Sequence, residues 1–309
     1  MTPRRVYPLL LVLFAGAIAL ALVLPQPAAP STLWLLRVPR ILNGLWVGAV
    51  LAGTGVAYQR VFQNPLAEPY TLGLSAGAAL GITTGLVLHL PYGVLLGLGW
   101  LSGVLTLLAL WMSGTHRLGL LLMGIALNLF AGAWILFLAS WADPFSGYQV
   151  FQWMLGHLDH VGLRMPLLAT GCTAVYLMLL TRESYRLRIL GRGDELAYSL
   201  GIPVGTLIRN LVLVSGIMIT WTVLESGMIG FVGLVVPHMM LGLGIREERA
   251  RILSSALTGG TLLVLADTLG RTLIPGQVLP VGVFTALIGT PVFLWILRRQ
   301  LREVLHAVS

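Results

Sequence analysis

The chain has 309 residues, 57% of them hydrophobic and only 10% charged, with a mean hydropathy of +0.90. Soluble domains carry about 25% charged residues, so most of this chain cannot face water. The formal charge of +8 comes from 19 arginines and no lysine, set in short clusters between apolar runs; that is the pattern of positive-inside topology, not of a nucleic-acid face.

Cut at charges and prolines, the apolar runs fall at 6–25, 41–60, 72–90, 93–113, 119–140, 165–181, 207–226, 228–243, 252–270 and 280–297. A span needs roughly 20 apolar residues, so this is a single membrane domain over 1–309 with about ten spans. The first run follows Arg4 and Arg5 and is trailed by PQPAA at 25–29, which resembles a signal peptide. Its length, and the spans after it, favour a retained first span. The third run carries Gly73, Gly77, Gly81 and Gly85 at four-residue spacing. They form one bare helix stripe, for which tight packing is preferred over pore lining. Several runs are too short for a perpendicular span, which predicts tilted, broken or shielded helices.

Two segments read as polar. The stretch 141–163 holds Asp143, Pro144, Trp153, Gly156, His157, Asp159 and His160 and predicts a short helix at the outer surface. The stretch 182–210 is the longest polar run, and 182–205 reads as a cytoplasmic segment. Within it, Asp194 and Glu195 sit where a helix N-terminal dipole favours acids, and Gly201-Ile202-Pro203 ends that helix. With both termini inside, fifteen arginines fall on the inner side and four (Arg37, Arg40, Arg164, Arg271) outside.

Catalytic constellations are scarce. The sequence has no phosphate loop of the Walker kind and no His-Glu-x-x-His run. Its one cysteine, Cys172, excludes a disulfide framework or a cysteine-based metal site. His157 and His160 flank Asp159 and admit a metal or haem ligand pair, though interfacial histidines are commoner. His238 follows Pro237 inside a span and reads first as a hydrogen-bonded structural histidine. Glu225 and Asp267 fall near span ends, where water is expected. Without a chain of buried carboxylates, a proton- or sodium-coupled carrier is disfavoured against an energy source outside the chain. Arg37, Arg40 and Arg271 suit either bidentate capture of a soluble partner's carboxylates or anchoring to lipid phosphate.

Several blocks then align in order: Arg37-Val38-Pro39-Arg40, QNPLAEP at 63–69, LGLSAGA at 72–78, GDELAYSLG at 193–201, IGFVGLVVPH at 229–238, ADTLGR at 266–271, LPVG at 279–282 and TALIGTP at 285–291. In these blocks the chain resembles the FecCD permeases, the membrane subunits of ABC importers for iron-siderophores, haem and vitamin B12. The resemblance implies an all-α integral membrane protein of the type II importer permease fold, with ten helices. It also implies a homodimer with the path at its interface, two ATPase subunits that use ATP and Mg, and a periplasmic substrate-binding protein. This chain would bind no cofactor, would not itself be an enzyme, and would lie in the cytoplasmic (inner) membrane of a bacterium in contact with lipid.

By the same resemblance, Arg37, Arg40 and Arg271 match arginines that receive acidic residues of the binding protein. Gly193, Asp194, Glu195, Ala197, Ser199, Leu200 and Gly201 match the coupling helix that enters a groove of the ATPase. Asn64 and Leu66, with the turn of Thr115, His116, Arg117 and Leu118, match a cytoplasmic gate. Family base rate places ferric siderophore first as substrate, then vitamin B12 and haem. The rival from another class is a secondary carrier without an ATPase. Two departures stand out: Met239-Met240-Leu241-Gly242 follows His238 where a basic residue is common, and 246–251 lacks the usual histidine, arginine and proline pattern.

Overall fold

The computed structural model describes residues 3–24, 32–274 and 277–308, with the side chains of 3–5, 296–297 and 299–308 outside the description. The 25–29 stretch that resembles a cleavage site, and the side chains of Arg4, Arg5, Arg299 and Arg302, therefore lie outside it. Among the described residues every regular element is helical. Ten helices correspond to the ten apolar runs: α1 (Pro3–Val23), α2 (Val38–Val61, entered through a π turn at Leu33–Arg37), α3 (Leu74–Val87), α4 (Tyr92–Met112), α5 (Arg117–Trp141), α7 (Arg164–Arg182), α10 (Val204–Ser226), α11 (Val232–Gly242), α12 (Glu248–Thr272) and α13 (Val281–Val308). Three short helices lie between them: α6 (Pro144–Met154), α8 (Ser184–Leu190) and α9 (Asp194–Ser199). Seven of the ten are long and apolar enough to cross a bilayer, and α3, α11 and the apolar part of α13 are shorter.

Helix α2 is the axis of the bundle. Of its most apolar window, 83% is buried, and it packs against α7, α10, α11 and, most extensively, α12. Lipid tails are as apolar as leucine, so close backbone approach must hold these helices together. The chain meets that need with glycine. A Cβ on Gly48 would run into the carbonyl of Gly259 in α12, and one on Gly55 into that of Gly233 in α11. Tyr176 of α7 adds a polar link, its hydroxyl 2.6 Å from Thr54 Oγ1 of α2 and 3.0 Å from Ser215 Oγ of α10.

The glycine stripe of α3 is a packing surface. Gly77, Gly81 and Gly85 face Thr106, Leu98 and Leu95 of α4, with no room for a side chain at Gly77 or Gly81. Gly73, at φ +73°, turns the chain into α3.

The short helices have a local cause. After α2 the chain folds back into the bundle, so that the Tyr70 carbonyl accepts from Asn128 Nδ2 at 2.9 Å. Asn128 lies eleven residues along α5, about 16 Å from its start at 1.5 Å per residue. From that depth fourteen residues suffice to leave the bundle. The loop between α10 and α11 dips likewise, and the Ile229 amide meets the Tyr70 hydroxyl. Irregular backbone at membrane depth is tolerated because it is enclosed by protein.

Candidate functional site

At one end of the bundle, Arg37 closes the π turn and Arg40 follows one helical turn later, with Pro39 fixing the backbone at the start of α2. Helices α2 and α12 run antiparallel and cross at Gly48 and Gly259. Eight positions from the crossing, about 12 Å along each helix, Arg40 Nε meets Asp267 Oδ1 at 2.9 Å. The other oxygen of Asp267 accepts from Arg271 Nε at 3.0 Å, one turn on in α12. Arg40 also reaches Asp159 Oδ1 with Nη1 at 2.5 Å, and Arg37 Nη1 donates to the Leu22 carbonyl of α1 at 2.5 Å. The three arginines singled out from sequence are thus gathered at one end, and two of them share a carboxylate.

This corrects the expectation for Asp267. Nearness to the end of α12 suggested a wet carboxylate, but its side chain is 5% exposed. The glycine crossing draws α12 so close to α2 that two guanidinium groups take the place of water. The i,i+4 spacing of Asp267 and Arg271 was the available signal. Glu225 is also largely covered, with Oε2 3.4 Å from His160 Nδ1.

The loop after α6 is stapled to this cluster. Its Leu158 carbonyl accepts from Asn43 of α2 at 3.3 Å. The His157 amide donates to Ser226 at the end of α10 (2.8 Å), and Val281 at the start of α13 donates to Gly156 (3.1 Å). His157 packs its ring 6.3 Å from that of Trp153. Burial holds its imidazole below the usual histidine value, opposed by Asp159 and reinforced by Arg40. His238 Nδ1 contacts the Leu234 carbonyl at 2.7 Å within α11. Among the described residues no group of three or more His, Cys, Asp or Glu gathers as a metal site.

At the opposite end, residues expected to belong to two separate devices meet. Arg117, the first residue of α5, holds Asp194 of α9 at 2.5 Å. Gln63, just past α2, donates to the Leu190 carbonyl at 2.8 Å and reaches Asp194 at 3.4 Å. Neighbouring Asn64 accepts from the Leu66 amide at 2.9 Å. Thr115 lies against Gly205 at the start of α10, His116 precedes α5 as its cap residue, and Leu118 is exposed. Gly193 (φ +132°) precedes α9 and Gly201 (φ +72°) ends it. Ala197 is buried, the Ser199 hydroxyl bonds back to the Leu196 carbonyl at 2.9 Å, and Leu196, Tyr198 and Leu200 are exposed. The helix is therefore fixed by its acidic start and presents apolar side chains outward.

One cluster at this end went unread in the sequence. Glu248, the first residue of α12, receives Arg60 of α2 at 3.1 Å and is in direct contact with Arg251. This is the same antiparallel register continued about a dozen residues from the crossing. The i,i+3 pair of Glu248 and Arg251 was its sequence trace.

Ten apolar helices, two of them short and preceded by loops that fold into the bundle, define a multi-pass membrane protein with the type II ABC importer permease fold. The profile of the FecCD transport family matches residues 6–299, and the chain belongs to that family. The vitamin B12 import system permease protein BtuC of Salmonella arizonae is 36% identical over 276 residues, covering 87% of this chain and 83% of that protein. BtuC of Salmonella typhi is likewise 36% identical, over 84% of its length. A solved ABC transporter of the metal-chelate type, in an inward-facing conformation, superposes with a TM-score of 0.87 at 28% identity, covering 96% of this chain and 99% of that one. PsaBC from Streptococcus pneumoniae, solved in complex with Fab, shares the fold at TM-score 0.54 and 18% identity, covering 83% of this chain and 88% of that one. The chain is thus an ABC importer permease.

Proposed function

We propose that two copies of this chain form the membrane channel of a binding-protein-dependent importer for a bulky metal chelate, driven by two separate ATPase subunits that consume ATP with Mg. Both termini then lie in the cytoplasm and the Arg40 end faces the periplasm, in keeping with the arginine bias. The binding protein docks its carboxylates at Arg37, Arg40 and Arg271. The ATPase receives α9 through Leu196, Tyr198 and Leu200.

The observation that carries this reading is the Arg117–Asp194 contact at 2.5 Å, seconded by Gln63. Through it the exposed helix offered to an ATPase is tied to the ends of α2 and α5. A push on α9 reaches the loop of Asn64 and Leu66 and the turn at Thr115–His116 without an intervening flexible segment. The outward faces of α5, with Leu129, Phe130 and Leu136, suit lipid or a second copy and give a chelate an apolar path without tight polar grips.

A secondary carrier is the weaker reading. It needs a chain of buried carboxylates able to take up and release ions, whereas Asp267 and Glu248 are each held by two arginines and Glu68, with its unpartnered Oε2, stands alone. Ferric siderophore leads on family base rate, but the relatives above are vitamin B12 permeases, so cobalamin is the first chelate to assay. The test is the complete importer in vesicles with its binding protein, offered cobalamin, a ferric siderophore or haem. We expect one chelate to raise ATP hydrolysis severalfold and to accumulate inside. Accumulation without the ATPase would overturn the reading in favour of a carrier.

A further inference from the structure

Arg40 holds two carboxylates of very different standing. Asp267 is 5% exposed and shared with Arg271, so it belongs to the frame of the bundle. Asp159 is 59% exposed and lies in the loop after α6. Ion pairs with an exposed partner contribute little, about 0–1 kcal/mol, so of the two it is Asp159 that can leave. Two cavities, of about 610 and 430 Å³, open beside the pair, and both are lined by Arg40, Asp159, Gln277 and Val278. An incoming group therefore has access to Arg40 from either side of Asp159.

We propose that Asp159 is a placeholder for the carboxylate of the binding protein, occupying Arg40 Nη1 until docking replaces it. This rests on the docking reading of Arg40 given above. The exchange is charge-balanced: one carboxylate leaves as another arrives, and Arg40 keeps Asp267 throughout. It also gives docking a way to be felt by the helices. The residues beside Asp159 bond to Asn43 of α2, Ser226 of α10 and Val281 of α13, and His160 touches Glu225. Releasing Asp159 frees the loop that staples those three helix ends together.

The test uses the assembled importer in nanodiscs and its own binding protein, fluorescently labelled, titrated against wild type, Asp159→Asn, Arg40→Gln and the double variant. Asp159→Asn keeps the size of an exposed side chain and leaves the Arg40–Asp267 bond in place. It should tighten capture about two- to fivefold, the range for freeing one partner of such a pair. In the Arg40→Gln background the same substitution should change nothing. Capture unchanged or weakened by Asp159→Asn, while Arg40→Gln still weakens it, overturns the placeholder and leaves docking at Arg40 standing. Capture unaffected by Arg40→Gln overturns the docking reading, and the placeholder with it. Amide exchange across 157–162 should quicken when binding protein is added to wild type, and unchanged exchange counts against the proposal.

Discussion

Replacing Glu248 with glutamine removes the carboxylate on which Arg60 and Arg251 converge. The Glu248 side chain is 3% exposed and that of Arg251 1%, whereas Arg60 is 30% exposed and can turn toward water. Breaking a buried pair by deleting one partner costs about 3–5 kcal/mol, because the remaining charge stays desolvated. Arg251 is that stranded charge, so the lower part of the range, ~3 kcal/mol, is expected for Glu248→Gln. The assay is reversible unfolding in mixed micelles titrated with SDS. Adding Arg251→Met should restore about half of the loss, since an apolar side chain of similar length carries no buried charge. Arg60→Gln alone should cost about 1 kcal/mol or less. A loss below about 1 kcal/mol for Glu248→Gln, or a double variant no more stable than the single one, would refute the argument and mean that water reaches Arg251.

Gly55→Ala places a methyl group on the Gly233 carbonyl, and should cost at least ~1–3 kcal/mol of overpacking; Gly93→Ala, which meets nothing within 4 Å, should be neutral or stabilising by about 1 kcal/mol. Equal thermal stability of the two variants would contradict the packing account. Asp194→Arg should lower transport per ATP hydrolysed severalfold, and the swap Asp194→Arg/Arg117→Asp should recover much of it, whereas a swap no better than the single variant would count against transmission through that pair. The pH prediction rests on His157, whose neutral form the fold favours. Below the unfolded histidine value of about 6.5 the unfolded chain takes up a proton that the folded loop resists, so stability should fall as pH drops from 7.5 to 5.5. His157→Gln should flatten that dependence, and an unchanged profile would remove His157 as its cause.

Much of the fold was legible because membrane helices announce themselves locally. Each of the ten apolar runs holds one helix, and the boundaries of the second, fourth and seventh fall within a few residues of those read from charges and prolines. The eighth was legible as short but not as to why, and the third, read as 72–90, holds a helix of only fourteen residues. Their shortness depends on two loops folding into the bundle to meet at Tyr70 and Ile229, 159 residues apart in the chain. The same holds for the sites. Arg37, Arg40 and Arg271 stood out because they break the charge bias, but Asp267 was misjudged, since its burial depends on a glycine crossing between α2 and α12. Arg117 and Asp194 were assigned to different devices because nothing local joins residues 77 positions apart.

The register of α2 against α12 also constrains what can move. The two helices touch backbone to backbone at Gly48 and Gly259, and a buried acid bridges them at each end, Asp267 to Arg40 and Glu248 to Arg60. Sliding one past the other by a single turn, about 5.4 Å, would break both bridges and drive glycine carbonyls into side chains. Rotation about either axis would do the same at the crossing. The pair therefore resists both sliding and rotation, and any rearrangement falls to elements outside it. One such place flanks it: the contact of α9 with the ends of α2 and α5, made through Arg117, Asp194 and Gln63. A signal entering at Asp194 reaches α5 through one ion pair, and α5 in turn holds the Tyr70 carbonyl through Asn128. Motion of α5 against the α2–α12 frame would thus carry that signal to the Tyr70 loop while the Arg40–Asp267 bridge within the frame stays intact.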